Sequence, residues 1–164
     1  MNWLFTPSRS AYQKALEKYT EALLASQPDL NRFSRLFPYL LVKTMKLNQA
    51  SVAFFDRGAG VYRVYSEPAA GPRVIDRNST LIRELMKTKA AFLSLKANDH
   101  SLHSELRDLD SVLVIPAFTP DQILILMFNL GALSSGGDFY QSDISFLKSW
   151  ADRVVTRLPL NNFN

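Results

Sequence analysis

The sequence predicts an α+β domain with a central antiparallel sheet of five to six strands, terminal helices packed on one face, and a short helix and loops on the other. Helical apolar periodicity occurs at both ends of the chain, whereas extended β-branched and aromatic runs fill the middle. Tight turns join consecutive strand runs, which implies antiparallel pairing. The 164 residues, of which 47% are hydrophobic, suffice for a single core.

Two helices are predicted at the N-terminus. Ser8 to Ser26 forms the first, because apolar residues recur there at spacings of four, three and four; these residues are Tyr12, Leu16, Tyr19 and Leu23. After a break at residues 27–29, a second helix runs to about Leu47, with Asp29 as its cap. Pro38 predicts a kink in this helix, or two abutting helices.

The apolar stripe of the first helix extends over about two heptads, so it suits either a dimer contact or packing on its own domain. We expect a homodimer built mainly from the N-terminal and final helices, with this stripe as its interface. Residues 1–28 would then form a signalling and dimerisation helix, and residues 29–160 would form the domain proper.

A hairpin and a short helix follow. The runs 51–55 and 61–65 are rich in β-branched and aromatic residues, and the glycines between them suit a tight loop. The Pro/Gly/Ala-rich stretch Glu67 to Arg73 is predicted as loop. Asn78 or Ser79 then caps a helix whose apolar stripe is Leu81, Ile82, Leu85 and Met86.

The next segment is predicted to contain a third strand, Ala90 to Leu95, and then a polar, irregular stretch, Lys96 to Asp110. A short helix fits around Ser104 to Leu109. Because this stretch offers few apolar side chains, we expect it to be a mobile lid over the sheet.

Two hydrophobic strands, Ser111 to Phe118 and Gln122 to Leu130, are joined by a turn at residues 119–121, where Pro and Asp suit the central positions of a type I turn. Because both strands are apolar on both faces, we place them at the centre of the sheet. A Gly/Ser loop at residues 131–138 leads to the last amphipathic helix, Ser142 to Leu158.

The composition excludes several functions. Cysteine is absent, so no disulfide, thiolate metal site or cysteine nucleophile can exist. No apolar run reaches the roughly 20 residues of a membrane-spanning helix, and the N-terminus lacks the apolar core of a secretory signal. We therefore expect a cytoplasmic protein.

The net charge of +4 is unevenly distributed along the chain. No acidic residue lies between Asp29 and Asp56, whereas four basic residues do: Arg32, Arg35, Lys43 and Lys46. This segment suits an acidic partner, an anionic bilayer or nucleic acid, or is simply a solvated helix face. We expect no nucleic-acid partner.

No catalytic or metal site is recognised in the sequence. The loop at residues 131–138 has two glycines five apart, but Gly137 and Asp138 stand where a phosphate loop needs Lys and Ser or Thr. His100 and His103 are the only histidines and lack the glutamate of a metalloprotease motif. We therefore predict no catalytic residue, no metal and no cofactor.

The C-terminal third carries a recognisable pattern: Leu130-Gly131, Ser135-Gly136, the aromatic Phe139, and then Asp143, Leu147 and Ala151. This pattern resembles the closing signature of GAF domains, in which a strand ends in Leu-Gly, a loop carries Ser-Gly and an aromatic residue, and an Asp opens the last helix. The order of elements from about Leu30 to Leu158 is also similar to that family.

Some positions depart from the family's pattern. Members often have Lys at the position of Leu133 and Ser or Thr at that of Tyr140. Either Ser142 then caps the last helix, or Tyr140 is itself the family's aromatic residue. The cysteines of bilin-binding members and of free methionine sulfoxide reductases are missing, which excludes both activities. The residues associated with cyclic-nucleotide binding in phosphodiesterases are not found.

The resemblance implies a small-ligand pocket between the sheet and the elements on the side away from the terminal helices. An aromatic wall with one or two basic residues would suit a flat or anionic metabolite. The alternative is a solid core without a ligand. The candidate ligand contacts are Tyr62, Val64, Arg83, Met86, Phe92, His100, Arg107, Phe118 and Met127.

The resemblance also implies a function as a sensory input domain. Ligand binding or dimer rearrangement would control an output domain, such as a histidine kinase, cyclase or transcription regulator, in the same protein or in a partner. No such domain is found in the 164 residues, so we expect a fragment of a longer regulator or a stand-alone adaptor. The alternative is a ligand-free dimerisation or scaffold module. We do not expect an enzyme.

Overall fold

Within residues 7–26 and 30–158, which the computed structural model describes, six antiparallel strands form one sheet and five α-helices cover it. The strands lie in the order β3-β2-β1-β6-β5-β4. This confirms the predicted α+β class. The elements are α1 (Pro7–Ala25), α2 (Leu30–Met45), β1 (Ala50–Asp56), β2 (Val61–Glu67), β3 (Arg73–Asp76), α3 (Thr80–Thr88), β4 (Phe92–Leu93), α4 (His100–Asp108), β5 (Leu113–Phe118), β6 (Leu124–Leu130) and α5 (Gln141–Arg157).

Side-chain alternation along the strands divides the interior into two cores. In β1, Val52 and Phe54 pack with residues of α1, α2 and α5, which we call the first core. Ala53, between them, packs with residues of α3 and α4 in the second core. The terminal helices thus cover one face of the sheet and the shorter helices cover the other, as the sequence predicts.

α2 is one helix with Pro38 inside it, so the predicted alternative of two abutting helices is wrong. The predicted cap, Asp29, lies outside the described residues. Phe33, Phe37 and Leu41 of α2 are fully buried. Their burial, at roughly 1.5–3 kcal/mol for each side chain, offsets the roughly 3 kcal/mol that an internal proline costs a helix. Packing therefore maintains the helix across Pro38.

α1 belongs to the first core. Tyr12, Leu16 and Leu23 of the predicted stripe are buried within the chain, whereas Tyr19 is 52% exposed. Packing inside one chain therefore accounts for the apolar spacing that suggests a dimer contact. None of the described helices combines the length and apolar character needed to cross a bilayer.

The edge strand β3 begins at Arg73, the last residue of the predicted loop, and continues through residues 74–76, for which the sequence predicts no element. It pairs with β2, with Ile75 opposite Tyr62. The adjacent β-branched residues Val74 and Ile75 favour extended structure, but the Pro/Gly/Ala-rich stretch before them obscures this signal. The predicted loop is therefore shorter, and the sheet has one more strand on this side.

The segment between α3 and β5 also differs from the prediction. The predicted strand Ala90 to Leu95 is reduced to the two residues of β4, followed by a single 3₁₀ turn, Ser94–Lys96. The stretch predicted as an irregular lid with a short helix around Ser104 to Leu109 contains the longer helix α4, whose cap is the side chain of Asp99. Leu102 and Leu106 are buried at helical spacing. Their contacts with the sheet side stabilise a helix in an otherwise polar segment.

The centre of the sheet is formed by β1 and β6, while β5 lies second from the edge. The prediction of a central position is therefore correct for the strand ending at Leu130 and wrong for the strand ending at Phe118. β4 borders β5 over only two residue pairs.

The loop after β6 positions α5. A Cβ at Gly131 would lie 2.8 Å from Cγ of Gln49, so only glycine fits there. The helix is preceded by Tyr140, whose backbone N–H donates to Oδ2 of Asp143 over 2.8 Å. Ser142, one of the predicted caps, lies inside the helix. The carboxylate of Asp143 thus satisfies a backbone donor at the start of α5, where negative charge is favourable.

We predict that Leu16→Ala destabilises the protein by about 2–5 kcal/mol, because Leu16 is fully buried in the first core. Lys18→Ala, at an exposed position on the same helix, should change the free energy of unfolding by less than about 0.5 kcal/mol. Urea unfolding monitored by circular dichroism measures both. Equal, small effects would mean that α1 does not contribute to the domain core.

We also predict that Gly136→Ala lowers the free energy of unfolding by about 1 kcal/mol, because Gly136 has a φ of +83°. Gly137→Ala is the matched control, since an added Cβ there meets only ordinary contacts and Gly137 is not among the residues with positive φ. Urea unfolding of the two variants should differ accordingly. An equal effect would contradict the need for glycine at position 136.

Candidate functional site

The sheet face under α3 and α4 is the site that the sequence suggests. Its floor contains Tyr62 and Val64 of β2 and Met127 of β6, all at most 6% exposed. The chain's own side chains cover this floor: Leu81 and Leu85 of α3, and Leu102 and Leu106 of α4. This part of the face is therefore a packed second core.

The two covering helices are tied to each other at the N-terminal end of α3. The carboxylate Oε2 of Glu105 accepts a hydrogen bond from the backbone N–H of Leu81 over 2.7 Å. The hydroxyls of Thr80 and Ser101 are 2.9 Å apart. Glu105 thus places a negative charge at the first turn of α3, where the helix dipole favours it. Nothing in the sequence spacing indicates this contact.

Tyr62 combines an apolar position with one polar contact. Its hydroxyl donates to the carbonyl oxygen of Leu124 over 2.8 Å. Burial raises the pKa of Tyr62 to about 12. The phenol therefore stays protonated at neutral pH and remains a hydrogen-bond donor, linking β2 to β6 across β1.

The nine predicted ligand contacts occupy three environments. The buried group lies in the second core and consists of Tyr62, Val64 and Met127. The exposed group lies on α3 and α4 and consists of Arg83, Met86, His100 and Arg107. The partly buried pair packs against the second core and consists of Phe92 and Phe118. The structure thus brings the first group together, and the role of all nine as ligand contacts stays a prediction.

A groove of about 270 Å³ opens between β3, α3 and α4, and we call it the β3 groove. Its charged lining residues are Arg73, Asp76, Glu105 and Asp108. Nη1 of Arg73 donates to the carbonyl oxygen of Asp108 over 2.6 Å. None of the nine predicted residues lines this groove. Sequence reasoning misses it because the groove depends on β3, which the sequence does not reveal.

A buried side-chain amide, that of Asn129, lies on the sheet face that α3 and α4 cover. Asn129 of β6 is two residues from Met127, so the two side chains share a face. Nδ2 of Asn129 donates to Oγ of Ser51 over 3.1 Å. Its Oδ1 has no hydrogen-bond partner among the described residues, which is uncommon for a buried acceptor.

The two histidines lie at the start of α4, and both are exposed. Among the described residues, no three His, Asp or Glu side chains are grouped closely enough to hold a metal ion.

Comparisons with known proteins identify the fold. Neither protein-family models nor curated protein sequences match this chain. Solved structures do match. The GAF domain of a phosphoenolpyruvate-protein phosphotransferase from Coxiella burnetii has a TM-score of 0.68 at 15% identity, covering 90% of this chain and 92% of that one.

Two further structures have equal TM-scores of 0.67. One is the phycocyanobilin-bound GAF domain of a cyanobacterial phytochrome, at 10% identity, covering 93% of this chain and 98% of that one. The other is the free methionine-R-sulfoxide reductase of Neisseria meningitidis in complex with its substrate, at 14% identity, covering 89% and 87%. At these identities the likeness concerns the fold. The sheet, its two unequal helical covers and these matches together identify the chain as having the GAF fold.

Proposed function

We propose that this chain is a sensory or regulatory GAF domain of a signal-transduction protein. It controls an output domain, such as a kinase, cyclase or transcription regulator, in the same protein or in a partner. The pairing of α1 with α5 is the observation that supports this most. These are the first and last described helices, and they are the route by which a change in the domain reaches neighbouring segments.

The contacts between α1 and α5 are buried at the centre and charged at the rim. The hydroxyl of Tyr12 donates to Oδ1 of Asp143 over 2.7 Å, and Nε1 of Trp150 donates to Oγ1 of Thr20 over 3.0 Å. Both hydrogen bonds are buried, so breaking either leaves a polar group unsatisfied at a cost of about 1–3 kcal/mol. The two helices are therefore held in a fixed register.

Two ion pairs follow the same contact at the surface. Arg153 pairs with Glu17 over 3.4 Å, and Arg157 pairs with Glu21 over 2.8 Å. Exposed pairs contribute only about 0–1 kcal/mol each. The buried hydrogen bonds consequently hold α1 on α5, and the ion pairs add specificity at the rim.

We place the ligand of such a sensor on the α3 and α4 side. The β3 groove is open to solvent and carries charges of both signs, which suits a small polar metabolite. A ligand could contact Tyr62, Val64 and Met127 only if α4 moved away from the sheet, since Leu102 and Leu106 cover these residues. α4 has nine residues and few buried side chains, so it is the cover that opens most readily.

A ligand-free scaffold is the second candidate function. The packing of leucine side chains over the floor of the second core favours a scaffold, because the chain's own side chains complete that core without a ligand. In this case regulation would depend only on contacts that α1, α2 and α5 make with other proteins. The two candidates differ in whether α4 opens.

Catalysis has less support than either. The structural similarity to a methionine sulfoxide reductase does not bring its thiol chemistry to this chain, which has no cysteine.

We also propose that the chain forms a homodimer through the outer surface of α1 and α5. Three residues of the predicted stripe, Tyr12, Leu16 and Leu23, are buried in the chain itself, so the interface uses the neighbouring surface. A groove of about 290 Å³ between the two helices has Leu24, Trp150 and Val154 in its lining. These three side chains are buried at the base of the groove, and a second copy would cover its exposed rim, formed by Glu17, Glu21, Arg153, Thr156 and Arg157.

For the sensor, we predict that backbone amides of α4 exchange at least about 10-fold faster than those of β6. The physical reason is that β6 is buried along its whole length, whereas α4 contacts the sheet side through one face. Hydrogen-exchange mass spectrometry measures both segments. A metabolite that raises the melting temperature should slow exchange in α4 and leave β6 unchanged. Equal protection of α4 and β6, with no metabolite raising the melting temperature, would favour the scaffold.

For the dimer, we predict that Thr156→Arg yields monomers, because Thr156 is exposed in the α1/α5 groove and two added charges would face each other across a twofold axis. Thr88→Arg, exposed at the end of α3, adds the same charge on the other side of the sheet. Light scattering coupled to gel filtration reports the mass of each variant. A monomeric wild type at high concentration would refute this interface.

A further inference from the structure

The exposed face of α2 carries a line of positive charge. Arg32, Arg35, Tyr39 and Lys43 are exposed and recur at spacings of three, four and four, which places them on one side of the helix. The line is about 17 Å long. Lys46, also exposed, follows the helix directly in a left-handed conformation with a φ of 59°. We call these five residues the basic stripe.

The cations of the basic stripe are not neutralised locally. The ion pairs among the described residues involve none of Arg32, Arg35, Lys43 and Lys46. No Asp or Glu occurs in α2 or in the segment joining it to β1. Nζ of Lys43 lies 5.6 Å from the ring centroid of Tyr39, a cation–π contact that holds the ammonium group above an exposed ring. The stripe therefore presents net positive potential to solvent.

A groove of about 760 Å³ adjoins the C-terminal end of the stripe, between α1, the end of α2 and the loop after β6. We call it the α1/α2 groove. Lys43 and Lys46 line it together with Tyr19 of α1. Its apolar lining residues include Ala11, Ala15, Met45, Leu133 and Phe139. The two alanines leave room where larger side chains would close the groove.

Among the described residues that line the α1/α2 groove, Asp143 is the one carboxylate, and it does not offset the positive charge at the surface. Asp143 is 1% exposed. Its oxygens accept hydrogen bonds from the hydroxyl of Tyr12 and the backbone N–H of Tyr140. The accessible charges that the described lining gives the groove are therefore those of the two lysines.

We propose that the α1/α2 groove and the basic stripe bind an acidic amphipathic segment of a partner protein. Apolar side chains of that segment lie on the alanine, leucine and phenylalanine lining, and its carboxylates lie against Lys43, Lys46 and Arg35. Recognition by apolar anchors in a groove with complementary charge at the rim is a common way to bind a helix.

The shape and the lining distinguish this partner from other polyanions. A bilayer is flat and would contact the stripe while leaving the groove empty. A nucleic acid has little apolar surface to bury against the alanine and leucine side chains. The site lies across the sheet from α3 and α4, so it does not depend on the ligand proposed there. It shares α1 with the proposed dimer surface but uses other residues of that helix, Ala11, Ala15 and Tyr19.

The experiment is a display selection with helical peptides about 16 residues long, which span ~24 Å. The library varies acidic content and apolar spacing independently. Wild-type protein should enrich peptides with Asp or Glu flanking apolar residues at i, i+3, i+4 and i+7. Synthesised hits should bind at least about 10-fold more weakly to the double variant Lys43→Glu, Lys46→Glu, corresponding to 1.4 kcal/mol.

Two further variants separate charge from shape. The double variant Lys87→Glu, Lys96→Glu changes the net charge equally at exposed positions on the other face of the sheet, and should bind the hits as the wild type does. Ala15→Trp occupies the groove without changing its charge, and should also weaken binding at least about 10-fold. Circular dichroism and thermal melting confirm that each variant is folded, and a variant that fails this check is replaced by Ala11→Trp or by the single lysine changes.

Several results would overturn the proposal. Enrichment of basic or unpatterned peptides, or hits that bind the Lys43→Glu, Lys46→Glu protein as tightly as the wild type, would contradict it. Stripe-dependent binding to phosphatidylserine vesicles or to duplex DNA, with no peptide enriched, would assign the surface to a membrane or to nucleic acid. If the wild type is a dimer and the Lys43→Glu, Lys46→Glu variant is a monomer, the surface binds a second copy of this chain instead.

Discussion

The burial of β6 on both faces is the constraint on which the other elements depend. Phe128 faces the first core, where its ring centroid is 4.7 Å from that of Trp150 in α5, while Met127 faces the second core. The strand is also paired along both edges, with β1 and β5. An apolar strand in this position requires cover on both sides. The terminal helices meet this requirement on one face, and α3 and α4 meet it on the other.

The two covers differ in how firmly they are attached, and this difference directs the functional proposals. α5 has 17 residues and packs through Leu147, Trp150 and Val154, whereas α4 has nine residues. A conformational change costs least where the cover is small. The α3 and α4 side is therefore suited to respond to a ligand, while the helical face, with its α1/α5 pairing and its basic stripe, is suited to contacts with other protein.

Much of the fold could be predicted from the sequence because its strongest signals are local. The hairpin at residues 50–67, the cap at Ser79 and the last helix all follow from turn residues and apolar spacing. The edge strand β3 could not be assigned, and α4 was predicted only as a shorter helix around Ser104 to Leu109, since their stability comes from tertiary contacts: Ile75 with Tyr62 across the sheet, and Leu102 against the floor of the second core. The site was predicted only in part for the same reason. The apolar floor at Tyr62 and Met127 is visible in strand patterns, but the β3 groove needs an element that the sequence hides.

The contact between Glu105 and the first turn of α3 has a consequence for any opening of this face. If α4 moved alone, the backbone N–H of Leu81 would lose its acceptor and the carboxylate would lose its donor. Moving α3 together with α4 would keep the hydrogen bond but would also expose Leu81 and Leu85, at roughly 1.5–3 kcal/mol each. The lower-cost movement therefore displaces α4 alone and exposes Leu102 and Leu106 to water. Hydrating that much apolar surface carries a positive heat capacity change. The free energy of opening would therefore depend on temperature along a curve with a maximum at an intermediate temperature, as the free energy of unfolding of a whole domain does.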